Sequence, residues 1–235
     1  MGGLMSVMAQ SAVLKISVPP AAAECGVRIR EVHHGKKVDR GDGSFTVNMD
    51  DFYAEERRDV IVDFDLANVT SNEPVLHLVA TLSYMNVLTK KSTQTGPRDC
   101  SISPPDTDKL SAVNQDVEAQ WLRVCVVKEL EEADREARNN NTGQAQERLR
   151  CMATTIQAYP AFNAGDTFYS SLQQNVDEAM LDYEQADLSS GYKGHRTKNM
   201  TQTMKNQRAC SSKASSNGYY QTKSKKKMSK GFQTL

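Results

Sequence analysis

Asp59-Val60-Ile61-Val62-Asp63-Phe64-Asp65-Leu66 places an apolar side chain at every second position, with aspartate at three of the four positions between. This period of two is typical of a strand with one buried face and one polar face. The period recurs on both sides and predicts strands at 12–18, 44–49 and 76–84, with a less regular strand at 25–32. Several strands at such short spacing predict an antiparallel β-sandwich over residues 19–90.

The second half of the chain changes to a helical period. Residues 91–111 contain the breakers Gly96-Pro97 and Pro104-Pro105, so we expect a linker loop there. A first helix is predicted from an apolar stripe that runs from Val113 to Ala137. Two further helices are predicted, one at 145–156 and one that begins after an Asp166 N-cap. Short connections favour antiparallel neighbours, so residues 112–187 are predicted to form a three-helix unit. The apolar stripe of the first helix consists of Val113, Val117, Trp121, Val124, Val127, Leu130, Ala133 and Ala137.

The charge is distributed unevenly along the 235 residues. The net charge is zero, but residues 191–235 carry eleven Lys or Arg and no Asp or Glu, so residues 1–190 keep 18 of the 29 basic and all 29 acidic residues. Such a basic segment with few aliphatic residues buries too little surface to offset its ordering entropy. Residues 188–235 are therefore predicted to be a disordered basic tail, and the fold class to be α+β.

Composition also bears on the compartment. No run approaches the ~18–20 apolar residues of a membrane span, and no signal-peptide pattern is present. Five cysteines without a CxxC pair favour a reduced intracellular chain, cytoplasmic in the first instance. The lysine cluster of the tail makes a nuclear location the alternative. This cluster consists of Lys223, Lys225, Lys226, Lys227 and Lys230.

Several segments resemble one family. Gly2-Gly3-Leu4-Met5-Ser6-Val7-Met8-Ala9-Gln10, with the strand at 12–18, resembles the final helix and exit strand of a von Willebrand factor A (VWA) domain. Gly41-Asp42-Gly43-Ser44-Phe45 and Asp51-Phe52-Tyr53-Ala54-Glu55-Glu56-Arg57-Arg58-Asp59-Val60-Ile61-Val62 resemble a block that follows VWA domains in plant RING-finger/VWA proteins and in VWA–hedgehog/intein-like proteins. Val113-Asn114-Gln115-Asp116-Val117-Glu118 is similar to a helix of their downstream region, and His195 with Gln207-Arg208-Ala209 to an element of their tails.

The resemblance implies that residues 1–18 end a VWA domain whose main part lies upstream of Met1. In such domains a DxSxS turn, with a Thr and an Asp from other loops, holds a divalent cation such as Mg or Ca. That cation would belong to the upstream domain, so no cofactor is expected in this chain. The chain also contains neither an intein-like domain nor the Cys/His spacing of a RING.

Candidate catalytic and metal sites are sparse. Asp99, Ser101 and Ser103 match DxSxS formally, but no apolar strand leads into them, so a surface loop is the better interpretation. Glu55-Glu56 offers two carboxylates, yet neighbours on a strand point to opposite faces, which favours local ion pairs with Arg57-Arg58. His33-His34 has no third ligand at metal spacing. Without a nucleophile, phosphate-loop or dinucleotide motif, we expect no enzymatic activity.

A few residues could serve either the core or an interaction. Trp121 is expected to anchor the core, with a partner-docking surface as the alternative. Cys125 and Cys151 are expected to be buried on helices. Gly2 fits the myristoylation pattern if Met1 is a true start.

Three functions follow from these observations. The first is a non-catalytic accessory or protein-interaction region attached to a VWA domain, with a protein partner. The second is a substrate-presenting component of a RING-type ubiquitin ligase. The third is an electrostatic binder of nucleic acid or anionic membrane through the basic tail.

Overall fold

The computed structural model describes residues 7–54, 56–66, 75–102, 114–188 and 195–206. The chain divides into two compact units, Met1–Val113 and Asn114–Leu235. Antiparallel strands dominate the first unit, and helices form the second. This mixed composition agrees with the predicted α+β class.

In the part of the chain that the structure describes, the first unit contains two antiparallel sheets. Its strands are β1 (Val7–Ser17), β2 (Arg28–His33), β3 (Lys37–Asp39), β4 (Ser44–Tyr53), β5 (Ile61–Asp65), β6 (Val75–Asn86), β7 (Lys91–Gln94) and β8 (Arg98–Ile102), with a short helix α1 (Pro20–Glu24) after β1. The larger sheet has the order β3-β4-β1-β6-β7, and β8 also pairs with β6. The smaller sheet pairs β2 with β5.

Both sheets contribute to one apolar cluster. Val32 of β2 is fully buried with Ala12 of β1 and Val47 of β4, and Val62 of β5 packs against them. The cross-strand register places Leu14 beside Val47 on one side and Leu82 on the other. The alternating residues of the strands predicted at 12–18, 44–49 and 76–84 therefore meet in this core.

Three expectations for the first unit need correction. Residues 7–10 were expected in a helix but lie in β1, because this central strand pairs with β4 and β6 along its length. The expected linker at 91–111 contains β7 and β8. The side chains of β8 that the structure describes are exposed. Backbone hydrogen bonds to β6 therefore hold this strand in place, and its sequence shows no alternating apolar pattern. In the segment expected to form a strand at 25–32, β2 begins at Arg28.

Among the described residues, the second unit has four long helices: three over the segment predicted at 112–187 and a fourth within the predicted tail. They are α2 (Gln115–Arg138), α3 (Thr142–Gln157), α5 (Thr167–Leu188) and α6 (His195–Asn206), and the short helix α4 (Pro160–Asn163) joins α3 to α5. α2 packs against α3, α5 and α6, while α5 also packs against α3 and α6. The core lies between them and includes Leu122, Leu130, Leu149, Ile156, Leu172, Val176, Tyr183 and Met204.

α6 corrects the prediction of a disordered tail over residues 188–235. Met200 and Met204, one helical turn apart, are buried in the core, and so are Thr197 and Thr201. The inward face is thus helical in period but built from methionine and threonine, which a search for aliphatic stripes does not detect. The remaining residues of that segment, 189–194 and 207–235, lie outside the described residues.

Within the described ranges, no helix combines the length and the apolar composition that crossing a bilayer requires.

Candidate protein-interaction surface

The start of α2 is fixed by a side-chain cap. The Asn114 side chain accepts hydrogen bonds from the backbone N–H groups of Asp116 at 3.0 Å and of Val117 at 3.3 Å. It thereby satisfies two donors that have no partner inside the helix. Asp116 and Glu118 lie in the first turn, where carboxylates interact favourably with the helix dipole.

α2 carries more apolar side chains than the helical core covers. Leu122 and Leu130 are buried at 2% and 0% exposure, whereas Val117 and Trp121 are 55% and 41% exposed. The expectation that Trp121 anchors the core is wrong because Leu122 holds the inward position at that level, and adjacent positions on a helix are about 100° apart. The predicted stripe is buried from Val124 onward.

A lysine of the same helix lies beside the exposed indole. Lys128 follows Trp121 by seven residues, which is two turns, and its Nζ is 5.7 Å from the centroid of the Trp121 ring. That distance is within the range of a cation–π interaction. The indole face therefore already attracts a positive charge.

An aromatic cluster lies at the α4 end of the unit. The rings of Tyr159 and Tyr169 are 5.4 Å apart, and the ring of Phe168 meets Tyr169 edge-on at 5.9 Å. Tyr159 precedes Pro160, which starts α4, and the predicted Asp166 cap is confirmed because its carboxylate accepts the N–H of Phe168 at 2.7 Å. Tyr169 is buried and Tyr159 is half-buried.

Electrostatic interactions connect this aromatic cluster to α2. Burial, and then the Glu118 carboxylate, raise the pKa of the Tyr159 and Tyr169 phenols. Burial also raises the pKa of the Cys125 thiol. The phenols and the thiol are therefore protonated at neutral pH, and the thiol is not an activated nucleophile. Sequence reasoning did not single out Glu118, Tyr159 or Tyr169; the loop signals at Pro160 and Gly165-Asp166 mark where the aromatic residues gather.

The formal DxSxS match is placed on an edge strand. Asp99 and Ser101 lie on β8 with exposed side chains, opposite Val79 and Leu76 of β6, and Ser103 lies outside the described residues. The surface loop expected here is therefore a strand. Among the residues that the structure describes, no group of three His, Cys, Asp or Glu side chains could hold a metal ion.

The acidic–basic stretch at 55–58 forms a buried ion pair. Arg58 donates from Nη2 to Glu56 Oε1 at 2.9 Å, and both side chains are almost fully buried. The same guanidinium donates to the carbonyls of Met49 and Asp51 and lies 4.3 Å from the centroid of the Phe52 ring. Arg58 thus ties β4 to the segment that enters β5, which is a structural role. Glu55 lies outside the described residues.

The other predicted residues are dispersed. His33 and His34 are both buried, and the backbone N–H of Lys36 donates to Nδ1 of His34 at 3.1 Å. The lysine cluster at 223–230, Gly2 and the element at 207–209 lie outside the described residues.

Cys151 is exposed, contrary to expectation, and Cys125 is partly exposed. Cys151 lines an open groove of about 510 Å³ between α2 and α3. An ion pair between Arg148 and Glu129, with Nη1 and Oε2 2.7 Å apart, crosses this groove. Burial of Cys151 was a wrong prediction because the inward positions of α3 belong to Leu149, Met152 and Ile156.

Comparisons with known proteins give little further information. No family model matches the chain, and no curated protein matches it. A solved structure of a von Willebrand factor type A protein from Catenulispora acidiphila is similar to 73% of this chain and 39% of its own, with 14% identity and a TM-score of 0.46. The chain thus spans about two fifths of that protein. A superposition this loose does not establish a shared fold, so the VWA resemblance stays a prediction.

Proposed function

We propose that this chain is a non-catalytic protein-interaction module and that its helical unit presents the partner surface. The observation that carries the proposal is the 41% exposure of Trp121 on a helix whose core-facing positions are already filled. Exposing an indole has no benefit for folding, whereas tryptophan is among the residues most enriched in binding hot spots.

The neighbours of Trp121 support an interface. Val117, one turn before it, is 55% exposed and extends the apolar area along α2. Charged residues border this area, with Asp116 and Glu118 at one end and Lys128 at the other. An apolar centre with a polar rim is the usual anatomy of a protein–protein interface. In this proposal the two sheets of the first unit, arranged as a β-sandwich, act as a scaffold, and a VWA domain upstream is a further partner.

The experiment compares two exposed apolar residues of the same unit. Trp121→Ser is expected to abolish partner binding, whereas Leu181→Ser on α5 is expected to leave it intact, since Leu181 is 52% exposed but lies on a different helix from Val117 and Trp121. A photo-crosslinking amino acid at position 121, with a matched one at position 181, would identify the partner by its position-specific adduct. Equal loss of binding in both serine variants would mean general stickiness and would contradict the proposal.

A second candidate function has its own observation. Residues 191–235 carry eleven basic and no acidic residues, and Lys198 on the described part, α6, is exposed. Such a segment supports electrostatic binding of nucleic acid or anionic membrane. Affinity for duplex DNA or for phosphatidylserine vesicles should then fall steeply between about 50 and 200 mM salt. Binding that does not depend on salt would exclude it. No observation on this chain favours a role in a RING-type ubiquitin ligase.

A further inference from the structure

Three residues of α2 form one stripe along the helix. Glu118, Trp121 and Cys125 stand at positions i, i+3 and i+7, so they lie on the same side of the helix. The indole and the Glu118 carboxylate therefore belong to one side of α2, which we call the aromatic–carboxylate surface: Glu118 and Trp121.

The chemistry of this surface favours a positive charge. Aromatic faces carry negative partial charge and attract cations, and Lys128 lies beside the indole within the range of that interaction. Within the described part of the chain, the Glu118 carboxylate makes no ion pair, so it is available to a ligand. Its position is half-buried, where a charge-assisted hydrogen bond is stronger than in open solvent.

The charge of the whole helical segment points the same way. Residues 114–188 contain fourteen acidic and six basic residues. A basic partner segment is therefore attracted over a distance, whereas an acidic one is repelled. The unit already pairs one basic side chain of α6 with an acidic residue of α2, since Lys205 Nζ lies 2.5 Å from Glu131 Oε1.

We propose that the aromatic–carboxylate surface binds an arginine side chain of a partner peptide, with the guanidinium stacked on Trp121 and hydrogen-bonded to Glu118. This inference rests on the proposed function and adds the chemical class of the ligand. Arginine fits better than lysine because its planar guanidinium can stack on a ring while donating in its own plane to a carboxylate. The incoming guanidinium exchanges with Lys128, whose side chain is exposed.

Trp121 makes the test direct because it is the only tryptophan among the 235 residues, so its fluorescence reports on this surface alone. The full chain is titrated with an acetylated, amidated octapeptide containing two arginines, and with the same peptide containing citrulline in place of arginine. Citrulline keeps the planar shape and removes the charge. The arginine peptide is expected to shift the emission saturably and to bind about tenfold more tightly than the citrulline peptide.

Two variants test the site, one inside it and one outside it. Glu118→Gln is expected to weaken the arginine peptide about tenfold and to leave the citrulline peptide unchanged. Leu181→Ser, on α5 and outside this surface, should alter neither affinity by more than about twofold. Circular dichroism of each variant checks that the helices are intact.

The outcomes distinguish this inference from the proposed function. Equal affinity for both peptides, or no response to the arginine peptide, overturns the arginine site. If position 121 still crosslinks specifically to a partner, the interaction module survives with a ligand of different chemistry. If both fail, the proposed function falls as well.

Discussion

Helices α2 and α6 belong to the same unit but differ in what they bury. α2 buries Leu122, Val126 and Leu130 and still exposes Val117 and Trp121, so it has more apolar side chains than the core covers. α6 buries only Met200 and Met204 as large apolar residues, and its other buried side chains among those described are polar: Thr197, Thr201 and Asn206. Exposed apolar surface on α2 indicates contact with a partner outside the fold. A helix with few apolar side chains, such as α6, needs polar contacts to hold it against the unit.

Polar contacts do hold α6 in place. Arg123 of α2 is 1% exposed and donates from Nη1 to the carbonyl of Met204 at 2.7 Å and from Nε to Gln120 at 2.8 Å. The Met204 carbonyl lies in the last turn of α6 as the structure describes it, where carbonyls need partners from outside the helix. At the other end, Thr197 donates to Asp182 of α5 at 2.9 Å. The negative charge thus lies near the start of α6 and the positive charge near its end, which matches the direction of the helix dipole.

The largest expected effect concerns the buried face of α2. Leu130→Ala removes a fully buried side chain from the core and is expected to lower the free energy of unfolding by about 2–5 kcal/mol. Urea denaturation followed by circular dichroism measures it. A loss below about 0.5 kcal/mol, the range of ordinary surface substitutions, would contradict the assignment of the inward face.

The next effect tests whether polar contacts anchor α6. Arg123→Met keeps the length of the side chain and removes the charged donor, and we expect a loss of about 1.5–3 kcal/mol. Hydrogen exchange should show faster exchange confined to α6, while α3 keeps its protection. Lys128→Met on the exposed side of α2 is the matched control, with little expected change. Uniform loss of protection across all helices would instead make Arg123 a general core residue.

The contrast between apolar and polar packing also explains which elements the sequence could predict. The strand at 76–84 and the Asp166 cap were predictable because their signals are local in the sequence. The strand shows alternating apolar residues, and the cap is a carboxylate side chain just before a helix. β8 and α6 were missed because their contacts are backbone bonds, or polar and methionine side chains, which leave no aliphatic period.

The candidate surface was harder to predict than the fold for a definable reason. Val117 and Trp121 continue the period of Val124 and Val127, so the pattern alone assigns all four to one buried stripe. Only packing shows which residues face the core. Leu122, which follows Trp121, and Val126, which follows Cys125, take the inward positions. The aromatic cluster was not predictable, because Tyr159 and Glu118 are 41 residues apart in sequence and only the packing of the unit relates them.

A smaller effect should appear at alkaline pH. The folded unit raises the pKa of Tyr159 and Tyr169, first through burial and then through Glu118. The folded chain therefore holds these protons more tightly than the unfolded chain. This contribution to stability is complete below about pH 10, the ordinary value, and is lost as the pH rises through the raised values.

The double variant Tyr159→Phe, Tyr169→Phe isolates that contribution. It keeps both rings and removes both titrating groups, so its stability should fall less steeply than that of the parent chain between about pH 9.5 and 11. Urea midpoints at several pH values measure the difference. Parallel pH profiles of the two proteins would show that the phenols titrate alike in the folded and unfolded chain.

The smallest expected effect on stability belongs to the residue with the largest expected effect on binding. Trp121→Ser should change the free energy of unfolding by no more than about 0.5 kcal/mol, because its ring is partly in solvent and contributes little to the core. A loss of 2 kcal/mol or more, on the scale of a core truncation, would mean that the indole supports the fold and that its exposure needs no partner. Measured beside Leu130→Ala on the same helix, this substitution decides whether the excess of apolar surface on α2 serves folding or recognition.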